Sequence, residues 1–132
     1  MDTTRIFHIE AEVKTRFTKH VVKHTAVLTD GEEYKELQGI VFTMLNDIYL
    51  MENRTSRNAL EIKEYGSFLR HGVRNAIESQ LSKNLSEDEE VTIYASTYSD
   101  YHQSTIKANI TVGHYQVLTT NDIDTTGIIT NV

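Results

Sequence analysis

Strict alternation opens the chain. From Arg5 to Phe17, the side chains of Phe7, Ile9, Ala11 and Val13 share one face of an extended segment, and His8, Glu10, Glu12, Lys14 and Arg16 share the other. Period two with one dry face is the signature of a half-buried strand. His20 to Leu28 continues in the same style, with Val22, Ala26 and Leu28 set against Lys23 and Thr25. Pairing positions whose numbers sum to 35 puts Phe7 beside Leu28, Ile9 beside Ala26 and Val13 beside Val22, and opposes Glu12 to Lys23. A slip of two residues would instead oppose Lys14 to Lys23, so cross-strand charge favours the first register.

The period then changes. Asp30-Gly31-Glu32-Glu33 reads as a helix start, with Asp30 capping free amides and Glu33 reaching back to it. Leu37, Ile40, Val41, Met44, Ile48 and Met51 recur at helical spacing, which predicts a first helix to about Glu52. After the polar break Asn53-Arg54-Thr55-Ser56, Asn58 begins a second capping pattern. Ile62, Tyr65, Leu69, Val73, Ala76 and Ile77 line a second helix to about Asn84, which Gly66 and Gly72 weaken. Beyond the acidic connector Ser86 to Glu90 alternation returns: Val91, Ile93 and Ala95, then a turn near Asp100-Tyr101, then Ile106, Ala108, Ile110 and Val112. A short strand over Tyr115 to Leu118 precedes a Thr/Asn/Asp-rich end. The expected fold is α+β: an N-terminal β-hairpin, two amphipathic helices and a C-terminal β-hairpin, forming an antiparallel sheet with helices on one face. One domain over 1–132 is expected, with 120–132 as a flexible or strand-exchanging tail.

Composition narrows the chemistry. The chain has 132 residues, 13 Lys+Arg against 19 Asp+Glu, a net charge of −6, and no Cys, Pro or Trp. Without cysteine there is no disulfide framework, thiolate metal site or Cys nucleophile. The acidic balance argues against a nucleic-acid coat, whose affinity comes from displacing phosphate counterions with many cations. No apolar run approaches 18 residues, and the start lacks a basic, then apolar, export pattern, so a cytoplasmic protein with no membrane role is expected.

Two features point to partners. On the first helix Phe42, Leu45 and Tyr49 form a second apolar stripe outside the sheet-facing arc. A two-layer protomer is expected to leave it bare, which predicts a homo-oligomer interface through those residues. On the second helix Lys63, Arg70 and Arg74 share one flank, with Glu61 and Glu64 on the other. Like charges four residues apart repel, and a phosphate-bearing ligand would relieve the repulsion, because guanidinium forks match phosphate oxygens in pairs. Arg54 and Arg57 are placed to converge from a neighbouring subunit. The alternative is that these cations pair with Glu32, Glu36 or the 87–90 run. Tyr94 and Tyr98, interleaved with Thr92, Ser96, Thr105, Lys107 and Asn109, offer a face on which a planar group could stack, although such a face is commonly plain sheet surface.

Metal chemistry is not indicated. His20 and His24 lie about 13 Å apart along a strand and cannot share an ion. Asp122-Ile123-Asp124-Thr125-Thr126-Gly127 opens like a calcium loop but lacks the closing bidentate acid. No cofactor motif and no catalytic spacing stands out, so no enzyme activity is expected.

The compact acidic chain, free of Cys, Pro and Trp and rich in Thr, Asn and Tyr, resembles small bacteriophage accessory proteins, some of which capture nucleotides or block host defence enzymes. No motif carries this resemblance, and no functional residue is transferred by it. It implies residence in a bacterial host cytoplasm and an anti-defence role. The leading expectation is a non-catalytic protein sequestering a small anionic, nucleotide-like ligand. Its rivals are an acidic inhibitor docking through Glu32 to Glu36 and Glu87 to Glu90 onto a host protein, and a structural or assembly protein.

Overall fold

A computed structural model describes residues 4–29, 31–52, 59–98 and 103–113. Strands β1 (Thr4–Thr15) and β2 (Lys19–Thr29) are followed by helix α1 (Glu33–Glu52). The second helical rod consists of α2 (Ala59–Phe68), a π-helical turn over Leu69–Val73, and α3 (Arg74–Gln80). Strands β3 (Glu90–Tyr98) and β4 (Gln103–Gly113) complete one antiparallel sheet in the order β2-β1-β4-β3. The α+β class, with a hairpin on each side of the helical segment, is therefore as the alternation and its interruption predict. The two hairpins join through β1 and β4, which pair along ten positions from Ile6 opposite Gly113 to Thr15 opposite Ser104. Arg54, Arg57, the Tyr115 to Leu118 segment and the 120–132 tail lie outside the described residues, as does Asp30.

The first register differs from the expected one. Phe7 lies opposite Ala26, Glu10 opposite Lys23, and Lys14 opposite Lys19, so paired numbers sum to 33. The turn decides this. Thr15 N–H donates to the Thr18 carbonyl (2.8 Å), and Thr15 Oγ1 accepts from the Thr18 N–H (2.9 Å) and the Phe17 N–H (3.2 Å). A tight loop closed at Thr15 and Thr18 outweighs one lysine pair, which Glu12 partly offsets at 3.8 Å from Lys19. Because 33 and 35 have the same parity, each residue still faces the expected side of the sheet.

Both helices cover one sheet face. The fully buried set includes Phe7, Val13, Leu37, Val41, Leu45, Ile48, Leu69, Ile77, Ile93, Ile106 and Ile110. In the second rod Tyr65, Leu69, Val73 and Ile77 are all buried at a spacing of four. Over those twelve residues an ideal helix would rotate the stripe by about 120°. The π turn between Leu69 and Val73 takes up extra residues per turn and brings the stripe back to one face. The rod ends at Gln80, four residues before the expected Asn84, because Asn84 has another task. Asn84 Oδ1 accepts the Tyr34 N–H (3.0 Å) in the first turn of α1, and its amide donates to the Gly31 carbonyl (2.7 Å). Glu33 is turned toward Arg5 (3.4 Å) rather than serving only as a local cap, and Arg5 also donates to the Leu85 carbonyl (2.7 Å).

Candidate anion-binding site

The apolar stripe of α1 has a cover after all. Leu45 is fully buried, and Phe42 and Tyr49 are half-buried against the core, because the second rod packs antiparallel along this side of α1. Tyr65 meets Tyr49 edge-on, with ring centroids 5.4 Å apart at 64°, and its hydroxyl donates to the Leu45 carbonyl (3.3 Å). A helix wedged between a sheet and another helix needs two apolar stripes. The premise that Phe42, Leu45 and Tyr49 lie bare on a lone protomer therefore fails. Met51, expected in the sheet-facing arc, is 44% exposed instead.

The cationic flank is a different matter. Arg70 and Arg74 are exposed, one at each end of the π turn, and Lys63 is exposed about two turns before Arg70. The Arg74 guanidinium carbon lies 4.2 Å from the centroid of the Phe42 ring, a close cation–π contact that holds the guanidinium over the ring. Arg70 and the Tyr49 hydroxyl converge on Gly66, where a β-carbon would fall 3.3 Å from Arg70 Nη1 and 2.9 Å from Tyr49 Oη. Glycine at 66 thus permits a close approach. Phe42 and Tyr49 form a floor on α1, and Arg74 and Arg70 lie along it from the second rod.

Three of the acids offered as alternative partners are engaged elsewhere, and among the described residues Glu36, Glu87 and Asp88 are exposed without an ion pair to these cations. Glu32 binds Lys35 (3.1 Å), Glu89 binds Lys83 (2.9 Å), and Glu90 accepts from Asn109 (2.6 Å). Among the described residues no ion pair is made by Lys63, Arg70 or Arg74. Like charge is thus concentrated on one flank of a chain whose net charge is −6. Glu89 is held below the usual carboxylate range by the Lys83 ammonium and then by the Ser86 N–H, so the acidic connector is structured around its own lysine.

The tyrosines do not join this site. Tyr94 stands on the face of β3 opposite the helices, 51% exposed, so the whole sheet separates it from Arg70 and Arg74 within a protomer. Tyr98 ends β3, and its side chain lies outside the described residues. The expected combination of Arg70 and Arg74 on phosphate with Tyr94 and Tyr98 on the planar part is therefore split by the layering. Thr92, Ser96, Thr105, Lys107 and Asn109 surround Tyr94 on the outer face as the alternation predicts, and Asn109 donates to Thr92 Oγ1 (2.8 Å). Sequence reasoning missed Phe42 and Tyr49 as the floor beneath the arginines and Gly66 as the point of approach. Their signal was there, since an antiparallel helix pair places Phe42 near Arg74 and Tyr49 near Gly66.

Among the described residues no group of three His, Asp or Glu side chains could hold a metal ion, and no helix is long and apolar enough to cross a membrane. No family model, curated protein or solved structure matches this chain.

Proposed function

We propose that the chain is a non-catalytic binding protein that captures a small phosphate-bearing ligand on the flank formed by Arg70, Arg74 and Lys63. The observation that carries this reading is the pair of exposed guanidinium groups, Arg74 set against the Phe42 ring and Arg70 beside the Tyr49 hydroxyl at Gly66, with no acid partner among the described residues. The Phe42 contact restrains Arg74 before a ligand arrives, and a restrained fork loses less entropy on binding an oxyanion. Arg70 and Arg74 are four residues apart and suit one phosphate. Lys63, about 10 Å further along the axis by helical rise, suits a second negative group, as in a nucleoside polyphosphate or cyclic dinucleotide. Half-buried Phe42 and Tyr49 leave room at their edges for the planar part. Capture without conversion is also how the nucleotide-sequestering phage proteins act that the composition resembles. The inhibitor reading retains Glu36, Glu87 and Asp88 as exposed acids, whereas Glu32, Glu89 and Glu90 already have partners within the chain.

Calorimetric titration of the full chain with ATP and with a cyclic dinucleotide tests this. Binding that weakens about tenfold or more in Arg70→Ala/Arg74→Ala, and by less in Arg70→Lys/Arg74→Lys, is expected from loss of two charge-assisted contacts. Affinity that is equal in wild type and the double alanine variant would remove the site.

A further inference from the structure

The two edges of the sheet are finished differently. Thr15 and Thr18 form a hydrogen-bonded pair at the hairpin turn, so alternation along the ladder points the N–H and C=O groups of even-numbered β2 residues toward β1. Those of Lys19, Val21, Lys23, Thr25, Val27 and Thr29 point outward. The same alternation carried through β1 and β4 turns the backbone of Tyr94 outward on β3, and there it is capped. The Gln80 amide donates to the Tyr94 carbonyl (2.9 Å) and its carbonyl oxygen accepts the Tyr94 N–H (2.9 Å), so one side chain imitates a strand. Among the described residues β2 has no such cap along its 11 residues.

Beside that edge, α1 overhangs the sheet. Leu28, Gly39, Ile40 and Met44 floor an open groove of about 630 Å³ between β2 and α1, and Glu36 and Asp47 form its rim. A β-carbon at Gly39 would meet nothing within 4 Å. The groove is where the inward side chains of one more strand would lie. On the other face of β2, Val21 and Val27 are 43% and 61% exposed. A strand laid here must therefore offer apolar groups to both faces.

We propose that this occupant is β2 of a second copy of the chain, paired antiparallel about a two-fold axis to make one continuous eight-stranded sheet. β2 itself carries apolar groups on both faces, Val21 and Val27 on one and Val22, Ala26 and Leu28 on the other, as the site requires, and a two-fold seam uses the same patch twice. Pairing positions that sum to 48 satisfies the outward amides and sets Val21 opposite the second copy's Val27 and Val22 opposite its Ala26. Lys23 then faces Thr25 and Lys19 faces Thr29, so no lysine opposes a lysine. On the helix side, His24 meets its own symmetry mate, and the second copy's His20 falls beside Leu28. Imidazole donors are thereby brought beside the carboxylate acceptors of Glu36 and Asp47, a complementarity of hydrogen bonding. The second rod packs over β3 at the far side, so Arg70 and Arg74 lie away from the seam, and this proposal stands or falls independently of the anion site.

The chain has no cysteine, so one introduced thiol reports only on contact between copies. At this register position 24 is a non-hydrogen-bonded pair with Cα atoms about 4.5 Å apart, within disulfide range. Air oxidation of His24→Cys should yield a covalent dimer, whereas Val22→Cys and Ala26→Cys, displaced from the axis, should not. Sedimentation equilibrium of the wild-type chain should give twice the protomer mass at tens of micromolar. Thr25→Pro removes an outward N–H that β1 does not use, and should give a monomer with unchanged circular dichroism. Should that variant unfold, Val27→Lys, at a mostly exposed position, should raise the dimer dissociation constant about tenfold or more by placing like charge near Lys19 and Lys23. A wild-type monomer, or a dimer in which His24→Cys fails to cross-link, overturns the proposal. So does a monomer whose β2 amides lose protection only when 114–132 are removed, which would assign the groove to the chain's own C-terminal segment.

Discussion

Gly66→Ala separates the stability of the helical rod from the geometry of the proposed anion site. Exchanging glycine for alanine inside a helix gains about 1 kcal/mol from backbone entropy and propensity. Against this, the new methyl would fall 2.9 Å from Tyr49 Oη, 3.2 Å from its Cζ and 3.3 Å from Arg70 Nη1. Ordinary contact needs roughly 3.5–4 Å, so Tyr49 must withdraw by about half an ångström to one ångström and Arg70 by roughly a few tenths. Tilting Tyr49 costs about 0.5–1.5 kcal/mol through its rotamer and loosens the edge-on contact with Tyr65. The two effects nearly cancel. The melting temperature should move by no more than about 5 °C in either direction. Ligand affinity should fall by about tenfold, because the site depends on where Arg70 stands relative to Tyr49 and Arg74. Thermal melts followed by circular dichroism, and calorimetric titration with ATP, measure the two quantities on one preparation. Unchanged affinity with a normal melt would refute the claim that Gly66 sets the position of Arg70. Global unfolding would refute the claim that Tyr49 and Arg70 can withdraw at that cost.

Other expectations follow from the same contacts. Arg5→Met leaves the 3%-exposed Glu33 without its cation and the Leu85 carbonyl without its donor. A loss of about 2–3 kcal/mol in urea unfolding is expected, less than for a wholly buried pair because Arg5 is partly solvated. Ser104 is fully buried, and its hydroxyl has no hydrogen-bond partner among the described residues. Ser104→Ala should therefore be neutral or stabilise by up to about 1 kcal/mol, and a clear loss would mean the hydroxyl has a partner in solution. Lys83 and the Ser86 N–H depress the Glu89 carboxyl in the folded state, so its contribution is present above the ordinary carboxylate pKa and is lost as pH falls through the depressed value. Glu89→Gln should accordingly narrow the stability difference between neutral and acid pH in urea melts, and an unaltered pH profile would count against the Lys83 contact.

Much of the fold was legible because burial alternates with the pleat. Phe7, Ile9, Ala11 and Val13, and across the sheet Ile106, Ala108 and Ile110, were assignable to the core from parity alone. Register was not, because 33 and 35 bury the same side chains and differ in a few cross-strand charge pairs and in whether Thr15 and Thr18 close the turn. Hydrogen bonds local to a loop settled what charge pairing could not. The α1 stripe was misread for a layering reason: Phe42, Leu45 and Tyr49 looked surplus while only the sheet was counted as cover. Two helices on one sheet face also cover each other, at the usual interaxial spacing of about 8–10 Å. The cations of the second rod were legible as a cluster. The seating of Arg74 on Phe42 required the antiparallel pairing of the rods, and the separation of Tyr94 from these cations required the two-layer order. Gln80 and Asn84 carried no signal in sequence, since each works through an amide that reaches an element distant along the chain.

The central claim is that Arg70 and Arg74 receive a phosphate. Side-chain Nε–H resonances of the full chain, recorded by 15N NMR while ATP is added, report on each guanidinium separately. The account predicts saturable shifts at Arg70 and Arg74, with Arg5 and Arg16 unmoved. Shifts at Arg5 or Arg16 alone, or none at any arginine up to millimolar ATP and cyclic dinucleotide, would contradict it.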